Sequence, residues 1–146
     1  MSPIRPRALL ACFSITVLIA LPGCDYAFAD IDVTWSIDGD TSPALCDAHG
    51  IEYWLVEALG PSVSHSAEVS CRDGIWSSGY ELHSLPASGD VEVNLTVVVD
   101  ACDVQRNTLA STSQEIPARG GATWGTHRAL DPVVLVFRAG DFTSNP

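Results

Sequence analysis

Residues 30–37, Asp-Ile-Asp-Val-Thr-Trp-Ser-Ile, alternate polar and apolar without a break. A period of two buries one continuous face only in a strand, because a helix would scatter Ile31, Val33, Trp35 and Ile37 around its circumference. A strand needs partners, and the chain supplies them. Ile51 to Leu59, Ser64 to Cys71, Ile75 to Leu85, Val91 to Val99, Thr108 to Ile116 and Val133 to Phe137 all read as extended runs. Turn signals separate them at Asp38-Gly39, Gly60-Pro61, Asp73-Gly74, Pro86-Ala87-Ser88-Gly89 and Asp100 to Gln105. Helical periodicity is missing, apart from room for one short helical turn. That turn starts at Ser42 as N-cap with Pro43 in the first helical position, and Gly50 ends it. About seven strands joined by short turns predict an all-β antiparallel sandwich with one short helical turn.

The strands differ in kind. Val91, Val93, Leu95, Val97 and Val99 make one core face in the strongest of them. Ile51 to Leu59 is apolar on both faces, so the side on which Trp54 falls stays open. Ser64 to Cys71 is polar and predicts an edge strand. Val133 to Phe137 is apolar throughout and reads as a central strand. Gly79 suggests a bulge within its run. From Pro117 to His127 a Gly-rich, irregular loop carries Trp124.

Leu85-Pro86, then Gly89, Val91 and Val93, resembles the Leu-Pro-x-Gly-x-Tyr-x-Val-x-Val signature of carboxypeptidase-regulatory-like and related immunoglobulin-like sandwiches. Asp90-Val91 stands where that signature has its aromatic residue. The wider layout is similar to small bacterial lipoproteins: a Trp-containing first strand, a cysteine before a short helix and a second cysteine before Asp-Gly. Covering Ile31 to Phe137, the resemblance implies an immunoglobulin-like or transthyretin-like scaffold and brings no catalytic residues with it.

The N-terminal segment has the layout of an export signal. Arg5 and Arg7 form a basic start, Leu9 to Leu21 an apolar run too short to span a bilayer as a helix, and Leu21-Pro22-Gly23-Cys24 closes it. Those four residues resemble a bacterial lipobox. The resemblance implies cleavage before Cys24, whose sulfur carries diacylglycerol, with palmitate expected among the anchor's acyl chains. The expected division is a signal peptide over 1–23, a short tether over 24–30 and a sandwich domain over 31–146. A second processing site exists at Ala27-Phe28-Ala29, a small-x-small pattern for the ordinary signal peptidase. Cleavage after Ala29 would release a soluble secreted protein. The lipobox ranks first because Cys24 follows the apolar run directly. The expected location is the bacterial cell envelope, anchored through lipid to a membrane.

All 18 acidic residues follow Gly23, and only five arginines accompany them, giving residues 24–146 a net charge of −13. Such a surface repels phosphate backbones, which argues against nucleic acid as a partner. It repels anionic headgroups as well, so a membrane contact has to come through the lipid. The chain has no lysine, which excludes lysine Schiff-base chemistry and a P-loop.

With Cys24 lipidated and Cys12 in the signal, Cys46, Cys71 and Cys102 remain. One pair can form, and Cys46–Cys71, tying the helical turn to the edge strand, is the preferred one. Cys24–Cys102 is the pairing left open should Cys24 stay unmodified.

The residues offer weak leads to chemistry. Cys46-Asp47-Ala48-His49 has the spacing of half a zinc site, with no second half, so no metal is expected. Asp30, Asp32, Asp38 and Asp40 lack the spacing of a calcium loop and read as a solvated face. Ser64-His65-Ser66 has no nucleophile elbow near it, and Gly74 to Gly79 is one residue too long to be one. His83 and His127 have no evident carboxylate partner. No cofactor and no enzymatic activity are expected, a hydrolase being the low-ranked alternative. The residues that could touch a ligand are the tryptophans. Trp35 is in phase with a core face, whereas Trp54, Trp76 and Trp124 are candidates for stacking on an envelope glycan or docking a protein.

Overall fold

The computed structural model describes residues 26–61, 64–74, 76, 79–88, 93–118 and 127–142. Among the described residues, eight strands form two sheets. β1 (Tyr26–Ile37), β4 (Tyr80–Ser88), β7 (His127–Ala129) and β8 (Val133–Phe137) make one sheet. β2 (Tyr53–Leu59), β3 (Ser64–Ser70), β5 (Val93–Cys102) and β6 (Thr108–Ala118) make the other, in the order β3-β2-β5-β6. The all-β sandwich expected from the pattern is the fold observed. The second sheet is antiparallel throughout. The first is mixed: β1 pairs antiparallel with β4 but parallel with β7 and β8.

The core lies between the sheets and follows the alternation. Ile31, Val33, Trp35 and Ile37 are buried on β1, Trp54, Val56 and Ala58 on β2, and Leu95, Val97 and Val99 on β5. Trp54 is the hub. Its ring centroid lies 5.9 Å from Trp35, 5.1 Å from Trp76 and 5.4 Å from Phe137. Aromatic edges against faces suit the ring quadrupoles and add to the burial energy. The outward residues of β2, Tyr53, Leu55 and Glu57, are only half-covered, which explains a strand that looked apolar on both faces.

Four features depart from expectation. β1 begins at Tyr26, so residues 26–30 are strand and not tether; Tyr26 pairs with Ser88 and Phe28 with both Pro86 and His127. Between Ala29 and Ile31 the register shifts, with the extra residue in β4, where Leu85 and Leu82 are the partners, while the buried face of β1 runs unbroken from Ala29 to Ile37. Pro86-Ala87-Ser88 is not a turn but the end of β4, where a proline is tolerated because β4 pairs only with β1 among the described residues. Val133 to Phe137 is not central: β8 pairs with β1 alone among the described residues, and Val134 and Val136 are exposed. Gly79 is no bulge within a strand. It precedes β4 at φ +91°, and a Cβ there would sit 2.8 Å from Thr34 Cγ2.

The polar run Ser64 to Ser70 is the edge strand β3, as its composition implies. The short helix α1 (Ala44–His49) ends at Gly50 in the left-handed region, where Ile51 N–H donates to the Cys46 carbonyl. A 3-10 turn over Ala139–Phe142 closes the described chain, with Phe142 against His49 and Phe137.

The pairings define two poles. At one, the Tyr26 pole, lie the start of β1, the end of β4 and β7. The contact of Trp54 with Trp35 and Phe137 sets the Tyr53 end of β2 beside the Ile37 end of β1. Leu59, Ser64, Val93 and Ala118 therefore lie toward the Tyr26 pole. The Ile37 pole carries α1, the Cys71 segment and the turn after β5.

Candidate functional site

Cys46 and Cys71 are joined in a disulfide, as the sequence suggested, with both residues buried. The bond ties α1 to the end of β3. Next to it, Arg72 reaches Asp47 at 3.1 Å and Glu52 at 3.0 Å, a bridge across the outside of the cross-link. The Asp47 hydrogen bond and the Glu52 charge raise the already high pKa of this guanidinium. Both partners are exposed, so this bridge orients side chains and adds little to stability.

The hairpin turn between β5 and β6 stands beside that bridge. Asp103 accepts from Asn107 N–H at 2.8 Å and from Asn107 Nδ2 at 2.9 Å, and Arg106 sits in the left-handed region at φ 68°. These hydrogen bonds hold the Asp103 carboxyl below its ordinary pKa. Asp103, Val104 and Gln105 face Asp47, Glu52 and Arg72 across a shallow groove of ≈ 270 Å³. Val104 at the tip is 69% exposed.

Cys102 lies buried on the outer side of the second sheet, paired in register with Tyr53. The Arg106 guanidinium lies 5.2 Å from the Tyr53 ring centroid and pairs with Glu68. Burial, and after it the charge of Asp100, raises the thiol's pKa, outweighing hydrogen bonds that lower it. Tyr53 is raised too, first by desolvation and then by its hydrogen bond to Cys102. A covered thiol with a raised pKa is a poor nucleophile. Sequence reasoning missed this cluster, because only the strand register brings residues 53, 68, 102 and 106 together.

The tryptophans nominated as ligand contacts have other places. Trp54 and Trp76 are both 0% exposed, and Trp76 Nε1 donates to the Cys71 carbonyl at 2.8 Å. Their faces are taken by the core, so neither can stack on a sugar in this fold. Trp35 is core as its phase implied. Trp124 and Cys24 lie outside the described residues.

The acidic run is divided between a face and a turn. Asp32 is exposed on β1, whereas Asp38 Oδ2 accepts from Ala139 N–H at 3.1 Å and Asp40 Oδ1 from Ser42 N–H at 2.9 Å. No three His, Cys, Asp or Glu side chains among the described residues are grouped to hold a metal ion. His65 is opposite Ala58 on the edge strand, and His49 stacks on Phe142 at 4.6 Å. A second groove, ≈ 380 Å³, runs between Gln114–Pro117 on β6 and Arg128–Pro132 near the Tyr26 pole. No helix of the described residues is long and apolar enough to cross a membrane.

No family model, curated protein or solved structure matches this chain.

Proposed function

We propose that this protein is an exported bacterial lipoprotein: Cys24 becomes the acylated first residue, and the sandwich serves a non-catalytic binding or structural role at the cell envelope. The observation that carries this reading is the position of the rival cleavage site. Ala29 is 0% exposed and stands in the middle of a sheet, paired with Leu85 on one side and Arg128 on the other. Cleavage after Ala29 would remove Tyr26 to Ala29, and with them four residue pairs to β4. The backbone groups left behind on Leu85 to Ser88 would lose their partners, each buried one at a cost of ~1–3 kcal/mol. Cleavage before Cys24 leaves β1 whole. The preference among signal sites thus has a folding reason as well as a sequence one.

A binding role suits a scaffold whose polar surface is rich in carboxylates at the turns. The partner is an envelope glycan or an envelope protein. The protein reading gains from the burial of Trp54 and Trp76, which leaves Trp124 as the remaining aromatic platform among the candidates.

Intact mass of the protein from a membrane fraction, with and without reductant, tests the anchor. A chain starting at Cys24 with acyl groups added is expected, gaining two hydrogens on reduction. A chain starting at Asp30 without lipid would overturn the proposal.

A further inference from the structure

We infer that the Tyr26 pole of the sandwich is held against the phospholipid headgroups, which leaves the Ile37 pole as the end facing away from the membrane. This rests on the lipid anchor proposed above. β1 begins at Tyr26, two residues after Cys24. Extended chain spans at most ~3.5 Å per residue, so an acylated Cys24 at the bilayer surface keeps the strand's first residue within about 7 Å of it.

The leash also leads into a fixed point. Tyr26 to Ala29 are paired with Leu85 to Ser88 on one side, and Phe28 and Ala29 with His127 and Arg128 on the other. A tether joined to a central strand cannot swing as one joined to a loose tail would. The strand rises ~3.3 Å per residue, so the twelve residues of β1 let the other pole stand up to about 35 Å further out.

Among the described residues, two side chains at the membrane end suit contact with it. At the Tyr26 pole, Leu59 is 38% exposed beside Pro61, and Arg128 is exposed and able to meet a phosphate. At the Ile37 pole lie Asp38, Asp40, Asp47, Asp103 and Asp141, which with β1 upright stand several Debye lengths of ~8 Å from the headgroups. Glu57, Glu115 and Asp131 lie nearer the membrane end. Contact there is therefore enforced by the short leash rather than drawn by charge. The end facing away from the membrane carries the groove between Arg72 and the Val104 turn.

The test uses the acylated full-length protein in phosphatidylcholine vesicles carrying a headgroup-attached spin-labelled lipid. Leu59→Cys and Val104→Cys, each in a Cys102→Ala background, take a thiol-reactive fluorophore. Quenching several-fold stronger at position 59 than at 104 is expected. Equal quenching, or stronger quenching at 104, would overturn the orientation. A twelve-residue Gly/Ser insertion between Asp25 and Tyr26 should erase most of the difference; if it persists, the short leash is not what orients the domain. Flotation with the vesicles reads the anchor separately. Protein that floats but quenches equally overturns the orientation alone, while protein that fails to float overturns the anchor and the orientation with it.

Discussion

Replacing both half-cystines, Cys46→Ala with Cys71→Ala, should weaken the domain by an amount set by the chain between them. The two residues are 25 apart in sequence and 5.8 Å apart at Cα in the fold. Releasing a closed loop of that size returns about 12 cal/mol/K of entropy to the unfolded chain, or ~3.5 kcal/mol at 25 °C. Few other contacts take over. Helix α1 has six residues, too few to persist alone, and its ion pair from Asp47 to Arg72 is exposed. The chemical denaturation midpoint, followed by far-UV circular dichroism, should fall accordingly, and the urea slope should rise as the unfolded chain expands. A thermal midpoint lower by about 10–18 °C is the same effect for a domain of this size. Hydrogen exchange should speed most in residues 44–49 and 71–74. A loss below ~1 kcal/mol would refute the reasoning, because it would mean that the unfolded chain gains no freedom from the cut.

Three further outcomes follow from the same geometry. Trp76→Phe should cost about 1–2 kcal/mol more than Trp54→Phe, although both residues are fully buried, because only the former gives up a hydrogen bond, that to the Cys71 carbonyl; paired urea titrations followed by circular dichroism compare them, and equal losses would count against the bond. Gly79→Ala should destabilise by about 2–4 kcal/mol in thermal unfolding, since the residue has φ +91° and its new Cβ would meet Thr34 Cγ2 at 2.8 Å and the Val33 carbonyl oxygen at 3.2 Å. The lowered pKa of Asp103 makes the unfolded chain bind its proton more readily, so its contribution is present above the ordinary carboxylate pKa near ~4 and is lost as pH falls through the folded value. Asp103→Asn should flatten the stability profile over that acid window, and an unchanged acid limb in stability measured from pH 2 to 6 would contradict it.

The part of the fold legible in the sequence is the part where one rule acts alone. Ile31, Val33, Trp35 and Ile37 alternate in a strand buried on one face, and they are buried as the period requires. The polar run Ser64 to Ser70 lies at an edge because nothing on it demands two covered sides. Legibility fails where two rules compete. In Val133 to Phe137 every residue is apolar, so periodicity cannot separate the buried Val133, Leu135 and Phe137 from the exposed Val134 and Val136. Its parallel pairing with β1 joins residues about a hundred positions apart, a distance at which no local signal operates. Pro86 reads as a turn residue by propensity, yet an edge strand leaves the missing N–H without consequence.

Among the candidate functional residues the same division holds. The disulfide could be reasoned from the cysteine count once Cys12 was assigned to the expected signal and Cys24 to the expected lipid, because three thiols then leave a narrow choice. Trp54 and Trp76 could not be assigned, since an indole is large and apolar enough for a core and equally suited to a ligand surface. Their burial moves the search for a binding surface away from aromatic stacking and toward charge and shape at the Ile37 pole. There Arg72 is tied to Asp47 and Glu52, and Asp103 to Asn107, so the polar groups are already fixed before any partner arrives. A partner meeting fixed groups loses less freedom on binding than one that must order them. On the binding role proposed above, a surface of this kind suits a protein or peptide with cationic groups spaced to meet Asp47, Glu52 and Asp103. For that partner, Val104→Ala should cost less affinity than Asp47→Asn: an exposed turn valine contributes at the rim, whereas losing Asp47 removes a charge and one of the two carboxylates that hold Arg72.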